Sequence, residues 1–130
     1  MLIIYTDGAS FGNPGPMGIG VAFWKSGKLV KEMSEYIGKG TNNTAEYTAV
    51  LRALEVAKKM GEKKITVRSD SELLVRQFNG EYKVKKPHLK RLKGEIDSLI
   101  EGLDVEFEHI PRERNKRADA LSKKAAENED

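Results

Sequence analysis

The order of hydrophobic patterns along the chain restricts its fold more than any other feature. Residues 2–6, 19–25 and 28–37 are three strand-like runs. "GNPGPMG" (12–18) reads as a loop dense in turn formers, and "KSGK" as a short hairpin turn with Gly27 at a left-handed position. The period then changes. "NTAEYTAVLRALEVAKKMG" (43–61) predicts a helix with Asn43 or Thr44 as cap, lysines in the last turns and Gly61 as terminator. A fourth strand follows over 63–69, and a second helix over 71–80 ends at Asn-Gly. Residues 87–103 begin with a proline and repeat Leu89, Leu92, Ile96, Leu99 and Leu103 at helical spacing. A fifth strand over 104–110 and a last helix over 118–127 complete the pattern, and the tail "ENED" is expected to be frayed and exposed. Three strands in a meander, followed by alternating helices and strands, predict an α/β domain with a mixed sheet. Its site is expected at the carboxyl ends of the strands.

At 130 residues the chain suits one domain over 1–130 with one core. Cysteine is absent, which excludes disulfides, thiolate catalysis and cysteine metal sites. No apolar run has the length of a membrane span and Met1 leads directly into a strand, so a soluble cytoplasmic protein, with no membrane partner, is expected. The net charge of +3 is concentrated late, around Lys83–Lys93 and around Arg112, Arg114, Lys116 and Arg117. Such a balance suits a polyanionic partner, and equally an ordinary solvated surface.

Four carboxylates stand in awkward places. Asp7 follows the apolar start "MLIIYT", where a buried charge is costly unless paired or bound. Asp70 ends the fourth strand and would point to the same edge of the sheet. Glu46 lies on the apolar stripe of its helix, with Ala49, Val50, Ala53, Leu54 and Ala57 at i+3, i+4, i+7, i+8 and i+11. Asp119 falls in the first turn of the last helix. Three of these have ordinary explanations. Asp70 could cap a helix, Glu46 could close a capping box with Asn43, and Asp119 could face a helix dipole. Together they aim like charges from separate segments at one place, a repulsion that divalent cations remove. All-oxygen ligands favour Mg²⁺ or Mn²⁺ over zinc.

"YTDGASFGNPGPMGIG", "TNNTAEYTAVLRAL", "VRSDSELLVRQ" and "IPRERNKRADALS" occur in this order across nearly the whole chain. The sequence thereby resembles the type 1 ribonuclease H family, most closely its compact archaeal and bacterial branch. The resemblance implies a ribonuclease H-like fold, a five-stranded mixed sheet with the first three strands antiparallel and helices on both faces. It implies an endoribonuclease that cuts the RNA strand of RNA/DNA hybrids with two Mg²⁺ or Mn²⁺ ions, leaving 5′-phosphate and 3′-hydroxyl ends. The family's catalytic and metal-binding carboxylates fall on Asp7, Glu46, Asp70 and Asp119, with Asp7 bridging the ions. Its groups that read the exposed 2′-hydroxyls of the duplex fall on Gly8, Ala9, Ser10, Gly12, Asn13, Asn42 and Asn43. Its DNA-phosphate contacts fall on Lys39 and Thr41. A monomer is expected.

The chain departs from the family in two places. The 80–87 segment is too short for the basic protrusion that grips the duplex in many members, so double-stranded RNA is a second candidate substrate. The loop "PRERN" lacks the histidine found there in many members. Arg112 is the candidate for its phosphate or product-release role. His109 follows the strand pattern of Val105 and Phe107 and reads as structural, and His88 reads as surface or the start of the third helix. A non-catalytic binding module on the same fold would be expected to lack a carboxylate, and all four are present.

Overall fold

The apolar start of the chain forms the central strand of the sheet. β1 (Leu2–Ser10) pairs antiparallel with β2 (Gly15–Lys25), which pairs antiparallel with β3 (Lys28–Gly40). Its other edge pairs parallel with β4 (Lys64–Ser69), and β4 pairs parallel with β5 (Asp104–His109). The computed structural model describes residues 1–128 and gives the strand order β3-β2-β1-β4-β5. The helices are α1 (Asn42–Lys59), α2 (Glu72–Phe78), α3 (Pro87–Leu99) and α4 (Lys116–Glu127), with a 3-10 turn, Arg112–Arg114, before α4. The mixed sheet with three antiparallel strands is as the sequence predicts. Among the described residues, no helix is long and apolar enough to cross a membrane.

Alternation sends Leu2, Ile4, Val21, Phe23, Ile65 and Val67 to one face of the sheet. There they meet Val50, Ala53, Leu54 and Ala57 of α1, Leu74 and Val75 of α2, and Leu89 and Ile96 of α3. Phe78 seats α2 by stacking on Phe107 of β5 at 4.7 Å between ring centres. α4 covers the opposite face. A Cβ at Gly18 or Gly20 of β2 would collide with the α4 backbone at Ala118, Ser122 and Ala126, so these glycines let α4 lie directly on the sheet.

Several boundaries differ from the sequence pattern. The β1–β2 ladder runs from Leu2↔Lys25 to Ser10↔Met17, so β1 continues past its expected end at residue 6, β2 begins inside the stretch expected as loop, and only residues 11–14 connect them. Ladder bonds need no side chain, which is why "GPMG" conceals strand structure. β3 likewise runs on to Gly40. The cap of α1 is Thr41, whose side chain accepts from the Thr44 amide at 3.2 Å, and not Asn43 or Thr44. Gly61 closes α1 at φ +80°, as expected. α2 covers 72–78 only, and α3 stops at Leu99 because 100–103 turn into β5, with Gly102 at φ 81°. α4 starts at Lys116, two residues earlier than the pattern suggests. The hairpin turn carries Ser26 and Gly27 at φ 52° and 74°. Of the tail, Glu127 is exposed but ends α4, and 129–130 lie outside the described residues.

Candidate active site

β1 and β4 run parallel, so their carboxyl ends share one edge of the sheet. Asp7 lies in β1 near that edge and Asp70 directly follows β4. Gly8 lets the first turn of α1 close on the strand, since a Cβ there would overlap the backbone of Ala45 and Glu46. That approach brings Glu46 in from the helix. Carboxylate oxygens of Asp7, Glu46 and Asp70 all lie within 4.8 Å of one another.

The ordinary roles open to two of these groups are taken by neighbours. Ser71 caps α2, its hydroxyl accepting from the Leu74 amide at 3.3 Å, which frees Asp70. Thr41 caps α1 and pairs with Thr44, so Glu46 belongs to no capping box. Asp119 is not one of the three residues within 4.8 Å but adjoins them, its side chain reaching that of Asp7. It lies in the first turn of α4, ion-paired to Lys123 at 3.1 Å, and its charge acts on Asp7.

Two polar residues that the sequence did not single out hold the cluster together. The Ser122 hydroxyl lies 2.6 Å from Asp7 Oδ2, to which it donates, and 2.9 Å from the Asp119 carbonyl. Asn115 is 1% exposed, and its Nδ2 donates to Asp70 Oδ2 and to the Thr6 carbonyl, each at 3.0 Å. Asn115 Oδ1 is buried without a donor among the described residues.

Burial pushes Asp7 from an ordinary 3.8 to about 7, with the charges of Asp70 and Asp119 adding to the rise and the Ser122 hydrogen bond opposing it. Burial likewise pushes Glu46 from 4.5 to about 8, with Asp7 and Asp70 adding and the charge of Arg112 opposing. Arg112 thus acts on this site from the exposed 3-10 turn. An all-oxygen cluster in which Asp7 and Glu46 resist ionising fits a hard divalent cation, which would stabilise their charged forms.

Around the cluster, Ser10 donates to Asn42 Oδ1 from its amide at 2.9 Å and from its hydroxyl at 3.0 Å. Asn13 Oδ1 accepts the Asn42 amide at 3.1 Å. These bonds lock the β1–β2 turn to the start of α1 and leave the Nδ2 groups of Asn13 and Asn42 without a partner among the described residues. Gly12 takes φ +96° within that turn. Ala9 pairs with Gly18 inside the ladder, and Gly8 serves the approach of α1, so the structure gives both a packing role. Lys39 lies exposed near the end of β3, and Asn43 lines a groove with Leu73, Lys83, Lys85, Lys86 and Leu89. His88 is the second residue of α3 and is hydrogen-bonded to Thr44. His109 is exposed rather than packed with Val105 and Phe107, because it ends the edge strand β5.

Strand order and a carboxylate cluster at the edge shared by β1 and β4 define an α/β protein of the ribonuclease H-like class. A family model described as reverse transcriptase-like matches residues 6–125. Ribonuclease HI of Halobacterium salinarum is 42% identical over 123 residues, covering 93% of this chain and 62% of that protein. The crystal structure of RNase H1 from the same archaeon superposes with a TM-score of 0.94 at 39% identity, covering 98% of both chains. LC11-RNase H1, isolated from compost and crystallised with an RNA/DNA hybrid, superposes with a TM-score of 0.92 at 47% identity, covering 98% of this chain and 97% of that one. The chain belongs to the ribonuclease H family. It spans 62% of the length of the Halobacterium relative and 35% of the mycobacterial relatives it also matches.

Proposed function

We propose that the chain is an endoribonuclease that hydrolyses the RNA strand of RNA/DNA hybrids and leaves 5′-phosphate and 3′-hydroxyl ends. The observation that carries this is the meeting of Asp7, Glu46 and Asp70 within 4.8 Å, with Asp7 and Glu46 pushed to about 7 and about 8. The complex of LC11-RNase H1 with a hybrid supports the substrate.

Asp7, Glu46, Asp70 and Asp119 would hold two Mg²⁺ or Mn²⁺ ions, which when bound supply an activated water and charge stabilisation at the leaving oxygen. The Ser122 hydroxyl favours the charged form of Asp7 and aims it, and Asn115 orients Asp70. The Nδ2 groups of Asn13 and Asn42 offer donors to 2′-hydroxyls in the wide minor groove of an A-like duplex. Gly8, Ala9, Ser10, Gly12 and Asn43 shape that surface. Lys39 and the Thr41 hydroxyl take a phosphate of the DNA strand. Arg112 faces the same site, where its cation suits the cleaved phosphate; Arg112→Ala should lower turnover, and full turnover would remove it from this role.

Lys83, Lys85 and Lys86 replace a protrusion with an exposed basic groove, and so short a grip leaves double-stranded RNA as a second substrate. The protein would act as a cytoplasmic monomer. The test is cleavage of a labelled hybrid and of matched double-stranded RNA with Mg²⁺, with Mn²⁺ and with chelator, beside Asp7→Asn. Metal-dependent cutting of the RNA strand that Asp7→Asn abolishes is expected. Duplex binding without any cutting would make the protein a binding module.

A further inference from the structure

Three side chains outside the carboxylate cluster join α3 to the cap of α1. His88 is half-buried and holds Nε2 3.1 Å from Thr44 Oγ1. Thr44 Oγ1 lies 3.0 Å from Thr41 Oγ1, which also accepts the Thr44 amide at 3.2 Å. Each hydroxyl has one proton to give and two lone pairs, so the directions of these bonds depend on one another.

Two arrangements give the Thr44 proton an acceptor; a third, in which Thr44 accepts from both His88 and Thr41, leaves that proton without one among the described residues. In the first, His88 Nε2 is bare and accepts the Thr44 proton. Thr41 must then donate to Thr44, and its only proton is spent inside the protein. In the second, Nε2 carries a proton and donates it to Thr44 Oγ1. Thr44 donates to Thr41, whose lone pairs are filled by the Thr44 amide and hydroxyl. The Thr41 proton is left for an acceptor outside.

We propose that His88 is a positioning residue that donates from Nε2 and thereby turns the Thr41 hydroxyl outward as a donor to a phosphate oxygen of the bound duplex. The inference rests on the hybrid-binding reading and adds a residue from a separate helix, together with the direction of each bond. A phosphate diester oxygen only accepts, so a Thr41 whose proton is spent offers it nothing. The relay is separate from the helix ladder. Thr48 bonds the Thr44 carbonyl at 2.7 Å and leaves the Thr44 hydroxyl to this chain of contacts.

The chain has two histidines, so His109→Gln leaves the His88 imidazole alone in a ¹⁵N spectrum. A protonated Nε2 is expected, and a bare Nε2 overturns the proposal. In steady-state cleavage of the hybrid, His88→Leu and Thr44→Val should each raise KM roughly three- to tenfold, the range of one hydrogen bond, with a smaller change in kcat. The double variant should be no worse than Thr44→Val alone, and His88→Gln, which can present an N–H, should recover part of the loss. An unchanged KM in both single variants, or a fall in kcat alone, overturns the role of His88 while wild-type cleavage leaves the hybrid reading intact. A wild-type protein that neither binds nor cuts the hybrid overturns both.

Discussion

At the scale of single residues, the site holds two carboxylates, Asp7 and Glu46, kept from ionising by burial and by neighbouring charge. Ser122 works against that tendency, because a hydroxyl that donates to Asp7 favours its charged form. Ser122→Ala should therefore raise Asp7 further above about 7 and move the acidic limb of the pH–rate profile to higher pH. Turnover at neutral pH should fall by about 10- to 100-fold, as when the group orienting a metal ligand is lost. Asp7, Glu46 and Asp70 were legible in the sequence because a charge at the end of an apolar strand, or on an apolar helix stripe, breaks the local pattern. Ser122 and Asn115 were not. Their partners Asp7 and Thr6 lie 115 and 109 residues away, and a serine within a helix or an asparagine just before one looks ordinary until the chain has folded.

At the scale of elements, close backbone approach fixes where the carboxylates stand. Gly8 admits α1 and Gly20 admits α4, each where a methyl would meet main-chain atoms that cannot turn aside. Gly20→Ala should cost about 1–3 kcal/mol in urea unfolding, the usual range for overpacking, and should lower activity by lifting Asp119 and Ser122 away from Asp7. If Gly20→Ala unfolds like the parent and cuts at the parental rate, this account of α4 is wrong. The same glycines explain what the sequence pattern missed. The order and type of every strand and helix followed from hydrophobic period, but the extensions of β1 and β2 to Ser10 and Gly15 did not, since glycine and proline signal turns. The caps were misplaced for a related reason. Thr41, Asn43 and Thr44 are all good cap residues, and only the backbone angles of the folded chain choose Thr41.

At the scale of the whole molecule, the cluster makes metal-free stability depend on pH. Folded Asp7 and Glu46 keep their protons to about 7 and about 8, against 3.8 and 4.5 when exposed. Between those limits the folded state binds more protons than the unfolded one, so stability is fully present at low pH and is lost as pH rises through the raised values. In chelator, Tm should be higher near pH ~5 than near pH ~8. Excess Mg²⁺ or Mn²⁺, if held by the ionised cluster as proposed, should restore most of the loss at the higher pH. An equal Tm at both pH values in chelator would mean that the carboxylates are better solvated than their burial implies. The bond from Ser122 to Asp7 also has a meaning in time. The ribosome delivers Ser122 115 residues after Asp7, so a nascent chain carries the first carboxylate of the cluster long before its last support arrives. Under the proposed function, nuclease competence would be acquired only when synthesis reaches α4, and a chain without that helix would not yet cut the nucleic acid around it.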